Sequence, residues 1–163
     1  MATTGETYWP PPVNPHWSLT PIKLGPVDDL HVENGDLLVA RLWRWDEERL
    51  REDAERERRE QLASGVAFPD CCVSVWGMIK TPDCPLDALV SRLCEHMFTY
   101  RTAKWVAFTT DRRLKSSRFE LRLREPPPCH YDLVLGTDFE AADYAGLAAL
   151  FDEYGRRKLH ECV

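Results

Sequence analysis

No stretch of about 18 consecutive apolar residues occurs in the chain, so no helix spanning a bilayer is expected. The first residues, Met1-Ala2-Thr3-Thr4-Gly5-Glu6, lack a basic segment followed by an apolar one, so no secretory signal is read there and a cytoplasmic location is expected. Glycine is scarce, with 8 scattered positions, and none builds a phosphate-cradling loop. A G-x-S-x-G elbow and an H-E-x-x-H pair are also missing. These absences argue against the common forms of nucleotide hydrolysis, serine hydrolysis and zinc proteolysis. Positive charge is in deficit, with 21 Lys and Arg against 27 Asp and Glu, a formal charge of -6. Affinity for nucleic acid or an anionic membrane needs net or clustered positive charge, so both are disfavoured as partners. Two local basic clusters stand against that balance, Arg112-Arg113 with Lys115, and Arg156-Arg157-Lys158.

The length of 163 residues suits one domain able to bury about two-thirds of its unfolded surface, without a disulfide or metal staple. In a reducing compartment the six cysteines (Cys71, Cys72, Cys84, Cys94, Cys129, Cys162) are expected to be thiols. Arginine outnumbers lysine in the charged segments, a wording that suggests a bacterial gene. Half of the prolines (Pro10, Pro11, Pro12, Pro15, Pro21, Pro26) fall within residues 1–27. Proline resists helix and strand interiors, so this segment reads as an extended arm. Tyr8, Trp9 and Trp17 make it a packed arm rather than a solvated tail, lying on its own domain or on a partner.

Residues 28–163 read as a single α+β domain. Asn34-Gly35-Asp36 signals a turn, and Leu37 to Trp45 a strand apolar on both sides except at Arg41 and Arg44. From Asp46 to Ala63 the chain is dense in Glu and Arg at i,i+4 spacing, with a thin apolar stripe of Leu50, Ala54 and Leu62. That pattern predicts a solvated surface helix, or one that binds a partner. Cys71 to Met78 reads as a strand. Leu86, Leu89, Val90, Leu93, Cys94 and Met97 mark the clearest amphipathic helix, with Pro85 in its first turn. Strands follow at Trp105–Thr110, at 118–124 and at His130–Leu135, with a polar connection from Asp111 to Ser117. Thr137 and Glu140 suggest a capping box for a last helix carrying Tyr144, Leu147, Ala148, Phe151 and Tyr154 on one face. The expected order is β–α–β–α–β–β–β–α. The expected sheet is mixed and mainly antiparallel, with about five strands and about three helices, preceded by the proline-rich arm.

The densest chemistry lies in Pro126-Pro127-Pro128-Cys129-His130-Tyr131-Asp132, where a polyproline lead-in delivers a thiol, an imidazole, a phenol and a carboxylate to the start of a strand. Strand alternation keeps Cys129 and His130 apart but puts His130 and Asp132 on one face. A His–Asp pair can serve as a general base, and equally as a structural hydrogen-bonded pair at a sheet edge. Metal spacing is poor: Cys71-Cys72, Cys84, Cys94-x-His96 and His160-x-Cys162 do not form the paired C-x-x-C pattern, so no metal and no cofactor are expected. Arg41-Leu42-Trp43-Arg44-Trp45 could stack bases, but tryptophans packing a strand is the simpler account. The leading functional expectation is therefore a small accessory, regulatory or immunity-type protein that binds another protein, with Trp9 and Trp17 as contacts. The alternative is a transferase or hydrolase using His130 and Asp132, with Arg41, Tyr131 and Cys129 around an anionic ligand. A weak nucleic-acid binder ranks third, and self-association is left open.

Overall fold

The run Leu37 to Leu42 is apolar on both sides but for Arg41, and such a run is stable only where both faces of a strand are covered. In the computed structural model, which describes residues 22–23, 27–42, 47–67, 69–97, 105–136 and 146–155, all six residues are buried in one strand. Among the described residues it is the second of seven strands: β1 (Ile22–Lys23), β2 (Leu37–Leu42), β3 (Cys71–Ile79), β4 (Trp105–Thr110), β5 (Glu120–Leu123), β6 (His130–Gly136) and β7 (Asp152–Gly155). They form a single sheet in the order β1-β7-β4-β2-β3-β6-β5. Every pairing is antiparallel except β1 with β7. Among the described residues three longer α-helices accompany the sheet, α1 (Glu47–Ala63), α2 (Leu86–His96) and α3 (Asp111–Ser116), with a short 3-10 turn at Val27–Asp29. The fold is thus α+β, as the sequence implies.

Strand alternation divides the core into two clusters. Leu38, Ala40, Leu42, Val106, Phe108 and Tyr154 pack with the α2 residues Leu89, Val90, Leu93 and Cys94. Leu37, Val39, Val73, Val75, Ala107, Leu133 and Leu135 pack with Leu50 and Ala54 of α1, Leu114 of α3, and Leu147, Ala148 and Phe151. β3 and β4 are both antiparallel to β2, so they run parallel to each other and need a crossover, which α2 provides. The Asn34-Gly35 turn is present, with Gly35 at φ 94° and its N–H donating to the Lys80 carbonyl at 2.8 Å.

Four local expectations change. Pro85 stands at the N-cap of α2 rather than inside its first turn. The connection after β4 is the helix α3, started by Thr110, whose hydroxyl accepts the Arg113 N–H at 3.3 Å. Tyr154 does not continue a helical face. Residues 146–148 are helical, but Asp152–Gly155 is strand β7, paired with β4 from Trp105↔Gly155 to Phe108↔Asp152. Phe151 and Tyr154 consequently enter different core clusters. Finally, Ile22–Lys23, read as part of the arm, adds to the sheet beside β7. Five expected strands become seven because both extra strands are short and are stabilised by partners distant in the chain. Trp9, Trp17, Trp43, Trp45 and the Thr137–Glu140 capping box lie outside the described residues.

Candidate functional site

The proline segment forms the loop of a β5–β6 hairpin, in which the Glu125–Pro126 and Pro126–Pro127 peptide bonds are cis. Cys129 closes that loop in the left-handed region, at φ 65°. Its N–H donates to Glu125 Oε2 at 3.2 Å, and its carbonyl accepts the Gly77 N–H at 2.9 Å. Burial first, then the Glu125 carboxylate, pushes the Cys129 thiol pKa upward, away from the thiolate that nucleophilic work needs.

Along β6, alternation separates the four candidate groups. Tyr131 sides with Leu133 and Leu135 against the second core cluster, and burial raises its phenol pKa. His130 and Asp132 share the opposite face, as period-2 geometry requires, yet each is only 8% exposed. One arginine that the sequence reading did not single out accounts for both. Arg124 lies across the hairpin: its carbonyl meets His130 Nδ1 at 3.0 Å, and its guanidinium donates to both Asp132 carboxylate oxygens at 3.1 Å. The same guanidinium pairs with Glu57 of α1. Hydrogen bonding to Glu57, and less so to Asp132, strengthens its hold on its proton. The His130 ring meets Trp76 edge-on, with centroids 5.4 Å apart. His130 and Asp132 are therefore joined through Arg124 and not through a bond to each other. Each is built into a structural contact.

Arg41 is also buried, at 4% exposure. The β2–β3 ladder ends at Ala40↔Trp76, and beyond it Arg41 bridges the diverging strands. Its guanidinium donates to the Ser74 carbonyl at 2.6 Å and to Asp53 of α1 at 3.3 Å. Asp53 is shared with Arg56 at 3.1 Å. A cavity of about 150 Å³ opens here, lined by Arg41, Leu42, Asp53, Arg56, Glu57, Cys72, Val73, Ser74 and Trp76. The carboxylates at its wall are matched by guanidinium groups, so it does not present a single sign of charge. His130 does not line it.

The side of α1 toward the sheet carries more than a thin apolar stripe. Asp53, Glu57 and Gln61 fall four residues apart and meet, in turn, Arg41, Arg124 and the Cys72 thiol with the Asp70 N–H. Leu62, assigned to the inward stripe by its spacing, is 53% exposed. The helical spacing, Asp53 three beyond Leu50 and Glu57 and Gln61 three and seven beyond Ala54, was the available signal that these polar residues face inward.

The Arg112–Lys115 cluster is matched by carboxylates. Arg112 pairs with Glu33 at 2.7 Å and Asp36 at 3.0 Å, Arg113 with Asp152 at 3.5 Å, and Lys115 with Asp111 at 3.7 Å. The second basic cluster lies outside the described residues. Cys71, Cys72, Cys84, Cys94 and Cys129 are free thiols. Among the described residues, no three His, Cys, Asp or Glu side chains converge as a metal site would require, and no helix is long and apolar enough to cross a membrane. Compared with known proteins, the chain matches no family model, no curated protein and no solved structure.

Proposed function

We propose that the protein acts in the bacterial cytoplasm by binding another protein, as an accessory, regulatory or immunity-type factor. The observation that carries this reading is the division of labour on α1. Its inward side is fixed by Leu50, Ala54, Asp53, Glu57 and Gln61. Its outward side leaves Glu48, Arg51, Glu52, Glu55, Arg58 and Arg59 exposed and ends in exposed Leu62 and, just beyond the helix, Val66. A rigid helix face with mixed charges and an apolar end is an economical recognition surface, because little side-chain and no backbone order must be gained on binding. The enzyme alternative loses support from the quenching of its two principal groups, since His130 and Asp132 are both engaged by Arg124.

The test is a comparison of variants in the native cell. A photo-crosslinking residue at position 62 is expected to trap a protein partner. The double variant Glu55→Arg with Leu62→Glu is expected to lose both that partner and the cellular function, with a stability change within about 0.5 kcal/mol because both sites are exposed. Folded His130→Ala is expected to retain both. If instead the helix variant keeps full function while stable His130→Ala and Asp132→Asn lose it, the catalytic reading replaces this one.

A further inference from the structure

Which main-chain groups β2 and β3 turn toward each other follows from their register. The Lys80 N–H donates to the Asp36 carbonyl at 2.8 Å, so Asp36↔Lys80 is a hydrogen-bonded pair of the antiparallel ladder. Such pairs recur at every second residue, at Leu38↔Met78 and Ala40↔Trp76, and the next in register is Leu42↔Ser74. That pair does not form, because the ladder stops at Ala40↔Trp76. The Arg41 guanidinium takes the Ser74 carbonyl instead, at 2.6 Å. The Gly77 N–H donates to Cys129, beside β6, at 2.9 Å, so by alternation the Ser74 N–H points the other way, toward β2. The Ser74 N–H and the Leu42 C=O therefore face a gap in place of each other. The cavity of about 150 Å³ lies in this gap, with Leu42 and Ser74 among its walls. Trp76 lines it as well, and its indole N–H is buried and meets no acceptor among the described residues. Polar groups turned into a protein interior are nearly always hydrogen-bonded, so these three call for a partner that enters the cavity.

We propose that this gap is a binding site for a small neutral amide, which takes the place of the missing rung. The amide carbonyl accepts from the Ser74 N–H and the Trp76 indole N–H, and the amide N–H donates to the Leu42 carbonyl. Three observations select that chemistry. First, a donor on one strand faces an acceptor on the other, and a trans amide carries its C=O and N–H on opposite sides, as a peptide group does between two strands. Second, the charged walls are already matched, Asp53 by Arg41 and Arg56, and Glu57 by Arg124. A ligand with net charge has to break one of these ion pairs, and a neutral one does not. Third, Leu42, Val73 and the Trp76 ring give apolar wall on which short alkyl groups can pack. A cavity of about this volume is large enough for a molecule the size of benzene. A free small molecule and the carboxamide side chain of a bound protein both supply the same group. The site shares no residue with the outward face of α1, and the inference stands whether or not that face binds a partner.

The test is titration of the isotope-labelled full chain, followed by nitrogen–proton correlation spectra. N-ethylpropionamide, raised through the millimolar range, is expected to shift the Ser74 amide and Trp76 indole signals saturably. Ethyl propionate has nearly the same shape but no N–H, and propionate carries a charge; both are expected to bind at least about tenfold more weakly. Trp76→Phe keeps an aromatic ring and removes the indole N–H, and is expected to weaken amide binding by about tenfold. Glutamine blocked at both ends separates the two sources. Tighter binding than N-ethylpropionamide, with the shifts at Ser74 and Trp76, assigns the site to a protein side chain, and weaker binding assigns it to a free small molecule. No saturable shift with either amide overturns the proposal. So does an ester or a carboxylate that binds as well as the amide, and so does amide binding unchanged in folded Trp76→Phe. Should Trp76→Phe not fold, the comparison of amide, ester and carboxylate on the wild-type chain decides alone.

Discussion

Arg124 shows how much one side chain can decide. It is itself 45% exposed, but it covers Asp132 and Glu57, whose side chains are only 11% and 17% exposed. Both carboxylates take their counter-charge from this one guanidinium. Arg124→Ala leaves both unpaired. The expected cost at pH 7 is about 1–3 kcal/mol, the penalty for stranding a buried polar group. Denaturant midpoints of wild type and Arg124→Ala at pH 7 check this, and a loss below about 0.5 kcal/mol would mean that the guanidinium contributes little beyond an ordinary surface residue. Strand periodicity correctly assigns His130 and Asp132 to one face, but not what covers that face. Trp76 comes from β3, Glu57 from α1 and Arg124 from the far side of the hairpin, and no local pattern in residues 126–136 refers to them.

At the scale of elements, the short helix α3 has an end that invites a direct test. The Arg118 N–H donates to the Lys115 carbonyl at 2.9 Å and the Phe119 N–H to the Leu114 carbonyl at 2.9 Å, which is the Schellman arrangement, with Arg118 in the left-handed position that glycine usually occupies. A left-handed non-glycine residue costs about 1–2 kcal/mol, and glycine gives back about 0.5–1 kcal/mol in unfolded-chain entropy, so Arg118→Gly is expected to stabilise by about 0.5–1 kcal/mol. Arg118→Ala keeps the steric cost and is expected to give no gain. Equilibrium unfolding of the two variants checks this, and equal effects from both would refute the strain argument. Legibility in the sequence varies by element for physical reasons. α2 is readable because six apolar residues repeat at helical spacing and four of them, Leu89, Val90, Leu93 and Cys94, line its buried face. β2 and β4 are readable because both are apolar runs buried on two faces. α3 has one buried apolar residue, Leu114, so its only sequence signal is the Thr110 cap, which is too common to decide. β7 is lost for the opposite reason. Leu147, Ala148, Phe151 and Tyr154 fit a helical face well, and what selects a strand at Asp152–Gly155 is the edge of β4, some forty residues earlier.

At the scale of the whole molecule, the sheet stores an alkaline weakness. Its acid groups with raised pKa values include Cys71 and Cys72 on β3, Cys129 and Tyr131 on the β5–β6 hairpin, and Tyr154 on β7. In every one burial is the largest cause, and for Tyr154 the bond from its hydroxyl to Asp29 at 2.6 Å adds to it. Cys72 is pushed up to about 11, first by burial and then by the neighbouring Asp132. These groups are neutral when protonated, so a raised folded-state pKa means that the native protein holds the proton after the unfolded chain has released it. The associated stability is complete below the unfolded thiol value near about 8.5 and is lost as pH rises through the folded-state values. Stability should therefore decline from about pH 9 upward, with a slope of at most about 1.4 kcal/mol per pH unit for each thiol involved. Cys72→Ala separates the largest thiol contribution from the rest. At pH 7.5 this variant is expected to be less stable than wild type, because a buried small hydrophobe has been trimmed. Between pH 9 and 11 only the wild type loses the Cys72 share, so the gap between the two is expected to narrow steadily. Guanidinium unfolding at intervals from pH 7.5 to 11 measures it. A gap that stays constant across the range would show that the Cys72 proton does not distinguish the folded sheet from the unfolded chain, and the burial of that thiol beside Asp132 would then have no electrostatic consequence.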